Sequence, residues 1–240
     1  MSPAAEHELQ LVLFDLDGTL VATAPEICDA VNDTLGAMGL QGVQLHEVEI
    51  WIGHGTGWLL LQALARATGR SPDGVQASTL WTAAQARFAI DYERRCGTTS
   101  HLYPHAREML QALGERGVQR ALVTNKERRF TLPVLRRHGL ARCFERVVCG
   151  DTLPRRKPDP AGVLHCLDAL GVPAEAAAFV GDSSIDVETA RNAGVAAWAV
   201  THGYNMGQPI ALARPDRLLH ELQAVLDPIA QPTGGEPSWP

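Results

Sequence analysis

The feature that most constrains this chain is the stretch Phe14-Asp15-Leu16-Asp17-Gly18-Thr19-Leu20. It closes an apolar run, Leu9 to Phe14, whose pattern predicts a buried strand. If that strand ran on through Asp15 and Asp17, both carboxylates would share one face beside a leucine core. A buried carboxylate costs several kcal/mol unless it is paired or binds a metal. Two acidic residues that merely cap a strand before a turn would leave that cost unexplained. An acidic strand end that binds a hard cation, and uses one carboxylate in covalent chemistry, accounts for it.

The chain has 240 residues, enough for one large domain or two small ones. With 45% hydrophobic and 20% charged residues it has the balance of a soluble globular protein. A formal charge of -6 argues against nucleic acid as a general partner. Cys28, Cys96, Cys143, Cys149 and Cys166 are odd in number, scattered and never paired as C-x-x-C. That excludes a zinc knuckle or disulfide scaffold and points to a reducing compartment. No apolar run approaches the roughly 18 residues of a membrane helix, so no membrane partner is expected. Met1 to Glu8 has no basic region followed by an apolar one, so no signal peptide is read there. The expected location is the cytoplasm.

Beyond Leu20, Thr23 and Glu26 have capping-box spacing and Pro25 suits a first helical turn. Ile27, Val31, Leu35 and Met38 then recur at helical spacing, with Gly39 as the stop. Helical patterns also cover Trp58 to Ala67, Gly74 to Leu80 and Thr82 to Tyr92. No convincing strand falls between Val43 and Cys96, so residues 22–98 read as a helical insert.

After Gly97 the pattern changes. Strands are expected at Arg120–Asn125, Arg146–Cys149, Ala177–Val180 and Ala196–Val200. Helices His105–Glu115, Arg128–His138, Ala161–Leu170 and Ile185–Ala193 alternate with them. Alternation of this kind builds βαβ units and a mostly parallel sheet. The sheet domain is therefore discontinuous, residues 1–21 plus 99–230. Gln231 to Pro240, rich in Pro, Gly and polar residues, reads as a disordered tail.

Ligands of open α/β sheets sit at the carboxyl ends of the strands. Those ends carry Asp15 and Asp17, then Thr124 and Asn125, then Lys157 beyond the third strand, then Asp182, Ser183, Ser184 and Asp186. Three carboxylates suit Mg2+, which keeps waters and takes one or two carboxylates plus a substrate phosphate. A lysine supplies a point charge for phosphate, and a threonine hydroxyl and helix-start N–H groups can hold its oxygens. Phosphoryl transfer needs little more than such positioning and charge neutralisation.

These four stretches, in this order, resemble the motifs of the haloacid dehalogenase superfamily. Asp15 to Thr19 is similar to its D-x-D-G-T, Leu122-Val123-Thr124-Asn125 to its strand ending in Thr or Ser, Lys157-Pro158 to its lysine motif, and Gly181-Asp182 to Asp186 to its G-D-x-x-x-D. The resemblance implies an α/β fold: a Rossmann-like core with a parallel sheet of order 5-4-1-2-3 and an inserted α-helical cap of the C1 type. It also implies roles. Asp15 would be the nucleophile that forms a phospho-aspartyl enzyme and a metal ligand. Asp17 would act as acid and base, its carbonyl also binding Mg2+. Asp182 would be a metal ligand, with Asp186 behind it or bound through water. Gly18, Thr19, Thr124, Asn125 and Lys157 would hold the phosphoryl group. True dehalogenases lack the second aspartate, so Asp17 favours a phosphatase or mutase.

Within the superfamily the chain is similar to the phosphoglycolate phosphatases. Trp51-Ile52-Gly53-His54-Gly55 resembles their W-I-G-N-G loop with His54 replacing Asn, Lys157-Pro158-Asp159-Pro160 their K-P-x-P, and Gly203-Tyr204-Asn205 their G-Y-N. The implied activity is Mg2+-dependent hydrolysis of 2-phosphoglycolate, a small phosphorylated metabolite, with His54 either a substrate contact or a surface residue. Other phosphatases or mutases acting on sugar phosphates, pyrophosphate or nucleotides share the core motifs, and a non-catalytic binding protein could share the fold. The sequence leaves open whether the chain is a monomer or a homodimer.

Overall fold

In the computed structural model, which describes residues 8–229, the apolar run becomes strand β1, Leu11–Phe14, and all four of its residues are fully buried. The expected tail, 231–240, lies outside the described residues. A two-residue strand β2, Val21–Ala22, follows, and then five helices: α1 (Ala24–Ala37), α2 (Leu45–Trp51), α3 (Thr56–Thr68), α4 (Pro72–Gln76) and α5 (Thr79–Arg95). The chain returns through β3, His101–Leu102, which pairs antiparallel with β2. The rest alternates: α6 (Ala106–Glu115), β4 (Gln119–Val123), α7 (Arg128–Arg137), β5 (Arg146–Val148), α8 (Ala161–Leu170), β6 (Ala177–Gly181), α9 (Ser184–Ala193), β7 (Ala196–Val200) and β8 (Arg217–Leu219).

The main sheet runs β5-β4-β1-β6-β7-β8, every pair parallel. The five expected strands take the expected order. β8 adds a sixth at the edge beyond β7. It escaped the sequence reading because it is three residues long and leaves Leu218 exposed, so no apolar run marks it.

Both faces of the sheet are covered, which is why its strands read as continuous apolar runs. Val12, Phe14, Leu122, Val180 and Trp198 pack with Met109 and Leu110 of α6 and Phe130 and Val134 of α7. Leu11, Leu13, Ala121, Val123 and Phe179 face Val163 and Cys166 of α8 and Val187 and Ala190 of α9. Each fully buried Leu, Val or Phe contributes about 1.5–3 kcal/mol. Register then places the site: Phe14 lies level with Leu122 and Val180, so Asp15, Thr124 and Asp182 emerge at one edge.

Three local expectations are corrected. Thr23 and Glu26 do not form a capping box: the Thr23 hydroxyl donates to Asp17 Oδ1 at 2.6 Å, and Glu26 Oε2 accepts from Gly97 N at 2.5 Å. Buried long-range partners outcompete the helix's own N–H groups. Helix α2 went unread because Leu45 and Ile50 are exposed and only Val48 is buried, so no apolar stripe announces it. The stretch Gly74 to Leu80 is not one helix. It breaks at Ala77-Ser78, between α4 and α5.

Candidate active site

After β1 the chain tightens at once. Leu16 O accepts from the backbone N–H groups of Thr19, Leu20 and Val21, and Gly18 takes a φ of 84°. A side chain at Gly18 could not fit: its Cβ would lie 2.3 Å from Asp182 Oδ2. Gly203 is packed the same way, with Asp182 Oδ2 2.5 Å from where its Cβ would be. Two glycines therefore cradle one carboxylate. The Thr19 hydroxyl donates to Asp182 Oδ1 at 2.8 Å and Tyr204 N to Oδ2 at 2.8 Å.

Lys157 Nζ stands 2.9 Å from Asp15 Oδ1 and 2.7 Å from Asp186 Oδ1, with all three side chains almost wholly buried. Asp186 Oδ2 accepts from Ser183 Oγ at 2.6 Å and Ser183 N at 3.0 Å, which closes a true capping box at the start of α9. Asp186 thereby meets Lys157 through one oxygen and Ser183 through the other. Burial pushes the Asp15 carboxyl up to about 6, Lys157 pulling it back and Asp186 and Asp17 adding to the rise. Burial, then Asp186 and Asp15, hold Asp182 well above the carboxylate range. Burial alone would lower Lys157, yet Asp15 and Asp186 together raise it.

The donor set fits a divalent cation. Asp15, Asp182 and Asp186 each offer an oxygen within 4.8 Å of the others. Three carboxylates meet one lysine there, and Asp15 has Lys157 as its one cationic partner. Buried oxygens in excess of cations are what a hard metal ion relieves. Asp186 is engaged by Lys157 and Ser183, Asp182 accepts one hydrogen bond on each oxygen, and Asp15 pairs with Lys157.

The helical insert closes the site from above. Asn125 Nδ2 donates to Gly53 O at 2.9 Å, and the Thr56 hydroxyl donates to Glu127 Oε2 at 2.6 Å. Arg156 NH2 lies 3.6 Å from Glu127 Oε1. What remains is a narrow cavity of about 30 Å³. Asp15, Asp17, Thr124, Asn125 and Lys126 line its floor, and Ile27, Ile52, Leu59 and the Gly53–Thr56 turn line its roof.

The chain matches the model of the haloacid dehalogenase-like hydrolases over residues 12–200. It belongs to that family. A phosphoglycolate phosphatase of Pseudomonas syringae pv. tomato is 39% identical over 221 residues, 90% of this chain and 78% of its own length. One from Vibrio cholerae is 37% identical, covering 91% of this chain and 96% of its own. The crystal structure of a predicted phosphoglycolate phosphatase from Haemophilus somnus superposes with a TM-score of 0.84 at 30% identity, covering 91% of this chain and 96% of that one.

Of the residues the sequence singled out in this haloacid dehalogenase-like hydrolase, Asp15, Asp17, Thr124, Asn125, Lys157, Asp182 and Asp186 converge. Gly18 and Thr19 also reach the site, but both serve Asp182. The Asn125 side chain is occupied: Oδ1 accepts from Lys157 N, and Nδ2 donates to Lys157 O and Gly53 O. His54 is not brought in. It is exposed, packs edge-on against Trp58 at 5.6 Å, and the glycines on either side of it line the cavity instead. It is the Gly53 carbonyl, not the His54 side chain, that meets the floor, accepting from Asn125 Nδ2.

Lys126 is the residue the sequence reading missed. Its Nζ donates to Asp17 Oδ1 at 2.5 Å, and its side chain is 1% exposed. Burial would lower it, but Asp17 and Glu26 raise it. The available signal was its position, directly after Thr124-Asn125 at a strand's carboxyl end. Tyr204, whose N–H holds Asp182 while its hydroxyl accepts from Ala24 N at 2.9 Å, was seen only as part of a loop.

Proposed function

We propose that this hydrolase is a Mg2+-dependent phosphomonoesterase that works through a phospho-aspartyl intermediate on Asp15, and that its substrate is 2-phosphoglycolate. The observation that carries this reading is Asp15 itself. It is a buried carboxylate ion-paired with Lys157 at 2.9 Å, close to Asp182 and, two residues on, to Asp17. An Asp15 oxygen attacks phosphorus, and the bond from phosphorus to the glycolate oxygen breaks. Asp17 delivers a proton to that oxygen. Asp17 then takes a proton from water as the water attacks phosphorus, the bond to Asp15 breaks, and inorganic phosphate leaves. Lys157 balances charge on the phosphoryl group and orients Asp15. The Thr124 hydroxyl accepts from Lys126 N at 3.3 Å, so its proton is left for a phosphoryl oxygen. Asp15 and Asp182 would hold Mg2+, which would supply further neutralisation of the transferred group.

Residues 22–98 act as a cap over a core of 1–21 and 99–230, opening at β2 and β3 and excluding water when shut. The cavity supports a small substrate. It is narrow and its roof is aliphatic, which suits a short acid better than a sugar or nucleotide. All five cysteines are free thiols, which supports work in the cytoplasm.

The test is a panel of phosphometabolites assayed with Mg2+ and with EDTA. Phosphoglycolate should lead the panel and EDTA should abolish turnover. Asp15→Asn should lower kcat by about 10⁴-fold or more. Rapid quenching should trap a hydroxylamine-sensitive phosphoryl adduct in wild type and none in D15N. A sugar phosphate leading the panel would refute the substrate, and an active D15N would refute the mechanism.

A further inference from the structure

We propose that Lys126 recognises the second anionic group of the substrate, the carboxylate of a short phospho-acid, and so sets the enzyme's preference. The inference rests on the phosphomonoesterase reading and names the chemistry the leaving group must carry.

The cavity offers few groups to anything but phosphate. Ile27, Ile52 and Leu59 bound it on the side away from Asp15. Thr56 is its one side-chain hydroxyl beyond Thr124, and that hydroxyl already donates to Glu127. Lys157 is held by Asp15 and Asp186 and does not line the cavity. Among the described residues that line it, Lys126 is the one cation. A substrate carboxylate would otherwise face Asp15, Asp17 and aliphatic carbon, which repel or desolvate it.

Lys126 is placed for this work. Its ammonium has three donors. One is on Asp17 Oδ1, and the ring of Tyr92 lies 5.1 Å away on another side, which leaves donor capacity toward the cavity. Because Asp17 serves the leaving oxygen in the reading above, a cation bonded to Asp17 stands beside that oxygen. A carboxylate one methylene from the ester oxygen falls within its reach. A neutral alkyl or polyhydroxy leaving group makes no use of it.

The experiment compares 2-phosphoglycolate with ethyl phosphate, in which a methyl group replaces the carboxylate. The ratio of their kcat/KM values is measured in wild type and in Lys126→Met. Both esters slow in K126M because Asp17 loses a partner, but the ratio should fall about 10–100-fold, chiefly through KM. Inhibition by inorganic phosphate should move far less. A ratio unchanged in K126M overturns the proposal and leaves Lys126 as a positioning residue for Asp17. A wild type that turns over both esters equally well overturns the substrate reading with it. K126M leaves Asp17 without its cation, so a second comparison removes both partners. Asp17→Asn and the double variant D17N/K126M are titrated calorimetrically with the two esters. D17N should bind phosphoglycolate more tightly than ethyl phosphate, and the double variant should lose that difference. A difference that persists refutes the role of Lys126.

Discussion

Two buried lysines each pair with an aspartate of the first motif, Lys157 with Asp15 and Lys126 with Asp17, and their surroundings differ. Lys157 sits between Asp15 and Asp186, both carried by the sheet or by a helix packed on it. Lys126 sits between Asp17 and the field of Glu26, and Glu26 belongs to the first helix of the insert. Glu26 also accepts from Gly97 N, where the chain leaves the insert. The first cluster is built entirely on the rigid floor. The second spans the two strands of chain that join floor and roof. In the proposed mechanism the first cluster holds the reacting group, and the second ties the insert to the core. Reactive geometry is best held by rigid elements, whereas closure must be felt by parts that move relative to one another.

The largest effect should come from the floor. Lys157→Met leaves Asp15 and Asp186 buried without a cation, and should cost about 3–5 kcal/mol in urea unfolding. A loss below 1 kcal/mol would mean that the floor is as adaptable as the hinge, and the contrast would collapse. At the hinge, Glu26→Ala removes the acceptor for Gly97 N and should cost about 1–3 kcal/mol, with faster proteolysis near Gly97. Glu26→Gln keeps that acceptor and should lose less. Equal losses in the two variants would mean that charge, not the clasp, matters there.

Smaller still is the latch between roof and floor. Thr56→Val removes the hydroxyl that donates to Glu127 and should raise KM about 3–10-fold with little change in melting temperature. A fall in kcat alone would place Thr56 with the reacting groups.

The smallest effect concerns pH. Burial, helped by Arg107 and His101, lowers the pKa of His138, whose Nε2 lies 2.8 Å from Ser100 Oγ beside the insert's exit. The folded state keeps this imidazole neutral while the unfolded chain takes up a proton below about 6.5. Its contribution is therefore intact above that pH and lost as pH falls through 6.5 toward the lowered folded value. Asp15, raised to about 6, acts in the opposite sense, binding its proton more readily folded than unfolded. The difference between wild type and His138→Gln cancels Asp15. In thermal melts from pH 7 to pH 5 that difference should shrink toward acid. A gap that widens toward acid would show His138 protonated in the fold.

Much of the floor was legible in order along the chain, because each group stands at or just past a strand end. A buried strand advertises itself by its apolar run, and a polar residue at its tip has no packing reason to be there. Asp15, Thr124 and Asp182 could be read this way. Lys126 stood at such a tip too, but a lysine before a helix passes for a solvated flank. Its partner Asp17 is 109 residues away, and no local pattern records that distance. Thr23 and Glu26 were visible, with helix-cap spacing, and were assigned to each other. The fold sends one to Asp17 and the other to Gly97.

By itself, then, the order of residues determined five strands of the sheet and the acidic floor, because burial and period leave few alternatives for such runs; the strand order came with the family resemblance. Only the tertiary structure decided which lysine faces the cavity, that His54 turns outward, that Asn125 is occupied by Gly53 and Lys157, and that Glu26 ties the insert's two ends together. Several of those outcomes depend on groups distant in sequence, Asn125 with Gly53 and Glu26 with Gly97, where the deciding terms are desolvation and hydrogen-bond competition in three dimensions.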